Sequence, residues 1–106
     1  MATLEYLTAG EARHVRKLVG LILATGADVS VHDGDEWMVK RSRDNKTIIA
    51  ALGTTGADTL RVRDMDGALL GDFELIYGND SDGTEVISDH TANAYCDFMW
   101  NKLNIW

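Results

Sequence analysis

The chain has 106 residues, of which 45% are hydrophobic and 25% are charged, and its formal net charge at pH 7 is −7. These proportions exclude a wholly disordered chain and predict one globular domain over residues 1–106. The longest strongly apolar run, residues 18–24, is too short to cross a bilayer, and the N-terminus does not resemble a secretory signal, so neither a membrane protein nor a secreted one is expected.

The first predicted element is a helix over residues 9–25. Thr8 and Glu11 have the spacing of a capping box, in which each side chain accepts a hydrogen bond from the other residue's backbone amide. Apolar residues at three- and four-residue spacing form one stripe: Ala12, Val15, Leu18, Val19, Ile22 and Leu23. Gly26 can adopt the left-handed conformation that ends such a helix.

Two strands and a short helix are predicted next. Residues 29–32 alternate between apolar and polar, Asp33-Gly34 is typical of a turn, and an extended pattern resumes over residues 37–40. Ser42 or Asp44 can then cap a second helix. The apolar residues of that helix are Ile48, Ile49 and Leu52.

Three more strands follow. Apolar and basic residues alternate over residues 60–63, and Asp66-Gly67 turns the chain into a long strand. That strand has three large apolar residues on one face: Phe73, Leu75 and Tyr77. Residues 78–83 are typical of a loop, and residues 85–88 form the fifth strand.

A final helix, capped by Asp89 or Thr91, completes the pattern. Its apolar side is formed by Ala92, Tyr95, Cys96, Met99 and Leu103. The order helix, two strands, helix, three strands, helix predicts an α+β fold, with an antiparallel sheet of about five strands and three helices.

No sequence motif identifies a catalytic, metal or cofactor site, so we expect no enzymatic activity. His14, His32 and His90 are far apart and lack the paired spacing of zinc ligands. Cys96 lies on the apolar side of the last helix, which favours a buried structural thiol, and as the only cysteine it favours a reducing cytoplasm. The alternative is a small enzyme that uses His32, Asp33 and His90 in acid–base chemistry.

The negative charge is confined to the second half of the chain. Residues 1–53 carry seven Lys or Arg and seven Asp or Glu, whereas residues 54–106 carry three and ten. Arg61 and Arg63 share one face of a predicted strand and can join residues 40–46 in a basic patch, or pair with nearby aspartates. Because the net charge is strongly negative, direct binding to nucleic acid is not expected.

Several segments resemble small phage-encoded proteins of unassigned function. They are Asp35-Glu36-Trp37, Leu60-Arg61-Val62-Arg63-Asp64, Asp66-Gly67, Ile76-Tyr77-Gly78-Asn79 and Glu85-Val86-Ile87-Ser88-Asp89. The resemblance covers residues 29–89 and includes no catalytic motif. It implies an accessory protein made in an infected bacterium; many such proteins bind a host defence or gene-expression factor, and some small acidic ones imitate nucleic acid.

We therefore expect a non-enzymatic inhibitor of the anti-CRISPR or another counter-defence type, located in the cytoplasm of a bacterial host cell. Its carboxylates are expected to occupy a basic, nucleic-acid-binding surface of a host protein, with no membrane contact and no cofactor or metal. The expected partner-binding residues are Asp64, Asp66, Asp72, Glu74, Asp80, Asp82, Glu85 and Asp89.

The final helix and the residues after it carry more large apolar side chains than one core-facing stripe can hold. Those lying partly off the stripe are Phe98, Trp100, Ile105 and Trp106. Burying them between two copies predicts a homodimer with twofold symmetry. The same residues support the alternative of a self-assembling scaffold protein, and a tail folded back on the core is the other interpretation of these side chains.

Overall fold

A computed structural model describes residues 6–79 and 82–103. The elements, in chain order, are α1 (Ala9–Ala24), β1 (Asp28–His32), β2 (Trp37–Ser42), α2 (Asn45–Ala51), β3 (Ala57–Arg63), β4 (Leu69–Ile76), β5 (Ile87–His90) and α3 (Ala94–Leu103). The predicted order of elements and the α+β fold class are confirmed.

The five strands form one antiparallel sheet with the order β2-β1-β3-β4-β5. All three helices pack on the same face, since α1 contacts both α2 and α3 while α2 lies on β1 and β2 and α3 lies on β4. The two faces of the sheet therefore differ. On strand β3, Leu60 and Val62 are buried under the helices, whereas Arg61 and Arg63 lie on the opposite face. We call the face without helices the open face.

Helix α1 forms as its sequence predicts. The Thr8 hydroxyl accepts a hydrogen bond from the Glu11 amide at 3.2 Å, and the Glu11 carboxylate accepts one from the Thr8 amide at 2.9 Å. The helix ends at Ala24 with Thr25 as its C-cap, and Gly26 follows with a φ of 86°. Its buried stripe lies at the centre of the core and consists of Val15, Leu18, Val19 and Ile22. Full burial of each such side chain stabilises the fold by about 1.5–3 kcal/mol.

Glu11 also joins α1 to the loop between β4 and β5. Its carboxylate has 0% exposure and accepts hydrogen bonds from the backbone amides of Gly78 at 2.8 Å and Asn79 at 3.1 Å. One turn further along α1, His14 Nδ1 lies 3.1 Å from the Gly83 carbonyl oxygen. The loop is therefore held against α1 at residues 78–79 and again at Gly83.

The structure corrects the predicted cap of α3. Neither Asp89 nor Thr91 caps this helix; the cap is Asn93, whose side-chain oxygen accepts a hydrogen bond from the Cys96 amide at 2.9 Å. Asp89 lies instead within β5, which spans Ile87–His90 rather than residues 85–88. The reason is the pairing with β4, which continues as far as His90.

The cap of α2, which the sequence left open, is Asp44. Its carboxylate accepts a hydrogen bond from the Thr47 amide at 3.2 Å. Ser42 belongs to β2 and pairs with Val29. Ser42 lies three residues before the helix begins at Asn45, and its hydroxyl accepts a hydrogen bond from the Asp44 amide at 3.0 Å.

Gly83 offers a test of how tightly the loop is packed. A Cβ atom at this position would lie 2.4 Å from the Gly10 backbone, and the φ of Gly83 is 78°. We expect Gly83→Ala to lower the free energy of unfolding by about 3 kcal/mol or more, because two backbone segments must separate. The matched control is Gly26→Ala, which has a similar φ but no atom within 4 Å of the added Cβ.

The control variant should lose only about 1–2 kcal/mol, the cost of the left-handed conformation. Urea denaturation of the two variants measures the difference. Equal losses would contradict the close contact between the loop and α1.

Candidate functional site

The centre of the open face is an arginine–tryptophan pair. Arg61 donates two hydrogen bonds to the Asp72 carboxylate, at 2.9 and 3.0 Å, and this carboxylate raises the pKa of Arg61. The Arg61 guanidinium carbon lies 5.4 Å from the centroid of the Trp37 ring, within cation–π range. His32 contacts the same indole edge-on, with the ring centroids 4.9 Å apart. Side chains from β1, β2, β3 and β4 thus meet at one point.

The β4–β5 side of the open face is acidic. Residues 64–101 contain nine Asp or Glu and no Lys or Arg. Glu74 and Asp89 are directly opposite each other on the two strands, and both are exposed. Neither forms an ion pair within the described ranges 6–79 and 82–103. Glu74 accepts a hydrogen bond from the Thr59 hydroxyl at 2.8 Å.

The other acidic residues predicted to bind a partner lie at the two ends of β4. Asp64 and Asp66 lie in the turn between β3 and β4, where the Asp64 carboxylate accepts hydrogen bonds from two backbone amides of that turn. Asp82 and Glu85 lie in the loop at the opposite end and are exposed. Asp80 lies outside the described residues. The structure therefore brings together only Asp72, Glu74 and Asp89 on the open face, and the Asp72 charge is compensated by Arg61.

A cavity of about 460 Å³ lies beside the start of β5. It is lined by Ile76, Asn79, Thr84, Glu85, Ile87, Ser88 and Trp100. Ile76 is 41% exposed, so part of this lining is apolar surface in contact with solvent. Strand β5 is at the edge of the sheet, and its outer side has no neighbouring strand among the described residues.

The aromatic residues predicted to mediate self-association lie in different environments. Phe98 is 54% exposed, and the Lys102 ammonium lies 5.6 Å from its ring centroid. Trp100 is half-buried, packs against the core and lies 6.0 Å from the His90 ring. Ile105 and Trp106 lie outside the described residues.

The histidines and the aspartate considered for acid–base chemistry are not brought together. His32 and Asp33 lie at the end of β1, whereas His90 is on β5, three strand spacings or roughly 14 Å away across the sheet. The Asp33 carboxylate accepts hydrogen bonds from the amides of Asp35 and Glu36, and these bonds hold the pKa of Asp33 below its usual value. Asp33 thus shapes the turn between β1 and β2.

Cys96 is fully buried on the inner side of α3. Burial raises the pKa of its thiol, and the nearby Asp97 carboxylate raises the pKa further. Both effects disfavour the thiolate, which is the reactive form. The predicted burial of this side chain is confirmed.

Sequence reasoning missed two buried acids, Asp28 and Asp58, each 3% exposed. The Asp58 carboxylate is on the core side of β3 and accepts hydrogen bonds from the Tyr77 hydroxyl at 2.6 Å and the Gly53 amide at 2.9 Å. Burial raises the pKa of both Asp58 and Tyr77. The available signal was an acidic residue at an apolar position of an alternating strand. Asp58 ties the end of α2 to the end of β4.

Comparison with known proteins identifies no relative: no protein-family model, no curated protein and no solved structure matches this chain. No helix in the described ranges is long and apolar enough to span a membrane. Within the same ranges, no group of three or more His, Cys, Asp or Glu side chains is placed to hold a metal ion.

The burial of Cys96 has a direct chemical test. We expect the native thiol to react with a disulfide reagent slower by about a hundredfold or more than in the urea-unfolded chain, because reaction requires local opening of α3. The absorbance of the released thiolate measures both rates. Similar rates in the two states would show that the thiol is accessible.

Proposed function

We propose that this protein acts without catalysis, by binding a partner protein through an acidic edge formed by Glu74 and Asp89, with Glu85 in the adjoining loop. The observation that carries the proposal is the position of Glu74 directly opposite Asp89 on neighbouring strands. Like charges in such a pair destabilise a sheet by a few tenths of a kcal/mol up to about 1 kcal/mol. A Lys or Arg from a partner would remove this repulsion on binding.

The charge distribution supports a basic partner surface. Residues 64–101 contain no Lys or Arg, and Arg61, whose charge also acts on Glu74, forms its ion pair with Asp72. Opposite charges accelerate association and make it sensitive to salt. A basic surface that normally holds nucleic acid has the required chemistry.

Apolar contacts beside the acidic edge support binding of a protein rather than a simple counter-ion. The adjoining cavity combines Ile76, Ile87 and Trp100 with the Glu85 carboxylate. Apolar and aromatic side chains surrounded by polar ones are typical of protein interfaces. The outer side of β5 also offers backbone groups to which an extended segment can pair.

The concrete form of the proposal is a phage-encoded inhibitor that acts in the cytoplasm of a bacterial host. By presenting carboxylates to the nucleic-acid-binding surface of a defence protein, such as a CRISPR effector, it would exclude the nucleic acid. The support is the resemblance of residues 29–89 to small phage proteins, together with the acidic edge.

The test is the double charge reversal Glu74→Lys with Asp89→Lys. The wild-type chain, this variant and a control are immobilised and incubated with lysate from a bacterium carrying a CRISPR system. We expect a host protein that the wild type retains at low salt to bind the double variant about tenfold more weakly, because two attractions become repulsions. Quantitative mass spectrometry measures the retained protein, and circular dichroism checks the fold.

The matched control is Asp35→Lys with Glu36→Lys, which changes the net charge equally but lies in the turn between β1 and β2. It should retain the host protein as the wild type does. In the same strain, expression of the wild type and the control should restore phage plaques, and the double variant should not. Equal retention or equal plaque counts for wild type and double variant would contradict the proposal.

A second candidate function is self-assembly, which the exposed Phe98 ring favours. We propose a twofold dimer through α3, in which Phe98 is buried between copies. Multi-angle light scattering should then give a dimer for the wild type and a monomer for Phe98→Ser. Leu69→Ser is the control, since Leu69 is equally exposed at 53% but is on β4, opposite Arg63, rather than on α3. A wild-type monomer at high micromolar concentration would reject the dimer.

A further inference from the structure

The β1–β3 side of the open face contains a basic cavity that is separate from the acidic edge. Its volume is about 380 Å³. It is lined by Ser30, Trp37, Lys40, Arg41, Arg61 and Arg63. Two of the four cations are paired, Arg41 with Asp28 at 2.8 Å and Arg61 with Asp72 at 2.9 Å. Lys40 and Arg63 have no carboxylate partner within ion-pair distance in the described ranges, so the cavity has an excess of two positive charges.

The backbone of β2 is distorted in a way that brings Arg41 to this cavity. Two residues of β2, Lys40 and Arg41, lie opposite the single residue Ser30 of β1, and this extra residue forms a β-bulge. Arg41 has a φ of 51°. A non-glycine residue in this conformation costs about 1–3 kcal/mol. The Ser30 hydroxyl accepts a hydrogen bond from the Arg41 amide at 2.9 Å and holds the bulge.

Arg41 is in turn fixed by a buried acid. The Asp28 side chain is 4% exposed and the Arg41 side chain 47%, so the carboxylate lies under the guanidinium. Asp28 Oδ2 accepts a hydrogen bond from Arg41 Nε, while Asp28 Oδ1 is buried and has no hydrogen-bond partner among residues 6–79 and 82–103. Arg41 also donates to the Asp64 carbonyl oxygen at 3.3 Å. A buried, incompletely satisfied carboxylate destabilises the unliganded chain, as does the strained bulge.

Trp37 supplies the apolar wall of the cavity. One part of the indole contacts Arg61 and His32, and the ring also lines the space beside Lys40. Arg63 uses Nη1 to donate to the Gly67 carbonyl oxygen at 3.0 Å, which positions its guanidinium and leaves further donors available. Two available cations and an indole in a space of this size match a small ligand with a charged head and a flat body.

We propose that this cavity binds a small aromatic anion, whose phosphate or carboxylate group is held by Lys40 and Arg63 and whose ring packs against Trp37. Arg41 and Arg61 contribute positive potential while remaining attached to Asp28 and Asp72. This site is separate from the acidic edge, and neither proposal requires the other.

The experiment titrates the full chain with phenyl phosphate, benzoate and inorganic phosphate, following the indole N–H signal of Trp37 by NMR. Trp37→Phe assigns that signal by its loss. We expect saturable shifts with phenyl phosphate, and binding of inorganic phosphate several-fold weaker because it has no ring. Shifts with benzoate as well would show that a carboxylate suffices, and their absence would identify phosphate as the recognised group.

Lys40→Gln and Arg63→Gln should each weaken phenyl phosphate binding by about tenfold, the loss of one charge-assisted hydrogen bond. Lys46→Gln, which removes one charge from α2 outside the cavity, is the matched control and should bind as the wild type does. If Arg63→Gln does not fold, Lys40→Gln alone tests the proposal. This variant is expected to fold, since the Lys40 side chain forms no ion pair within the described ranges.

Two results would overturn the proposal. One is the absence of a saturable Trp37 shift with either aromatic anion at millimolar concentration. The other is an equal loss of affinity in Lys40→Gln and Lys46→Gln, which would reduce the effect to net charge.

Discussion

The fold depends on a carboxylate that is completely removed from water. Glu11 carries a charge that would be very costly in the protein interior without hydrogen bonds, and the amides of Thr8, Gly78 and Asn79 supply them. Its place in the first turn of α1 adds the favourable potential of the helix N-terminus. One side chain therefore starts the first helix and also fixes the loop between β4 and β5. The position of Glu85 and of the neighbouring cavity follows from this attachment.

The elements that the sequence predicts well are those with a strict local pattern. Helix α1 has a capping box and an uninterrupted apolar stripe, and residues 60–63 of β3 alternate between apolar and basic, so each is specified by its own residues. The region from Glu85 to Asn93 is different, because Asp89, Thr91 and Asn93 are all good helix caps. Only the pairing of β5 with β4 excludes Asp89 as the cap of α3, and this pairing depends on residues distant in sequence.

The candidate sites were predictable in their charge but not in their geometry. The separation of charge between the two halves of the sequence becomes a separation across the sheet, because the order β2-β1-β3-β4-β5 keeps early strands on one side. Composition cannot show that the Arg61 guanidinium neutralises the Asp72 carboxylate. It also cannot place Trp37 beside Arg61, since the two are 24 positions apart and meet only through the register of β2, β1 and β3.

The bulge at Arg41 has a consequence for the solubility of the folded chain. Strands β2 and β5 are the two edges of the sheet, and they carry opposite charge. Such edges attract each other, and joining the β2 edge of one copy to the β5 edge of the next would extend a sheet without closure, the geometry of a fibre. The extra residue interrupts the regular ladder on β2 and twists that edge away from a flat neighbour. The distortion that orients an arginine thus also acts as a barrier to polymerisation.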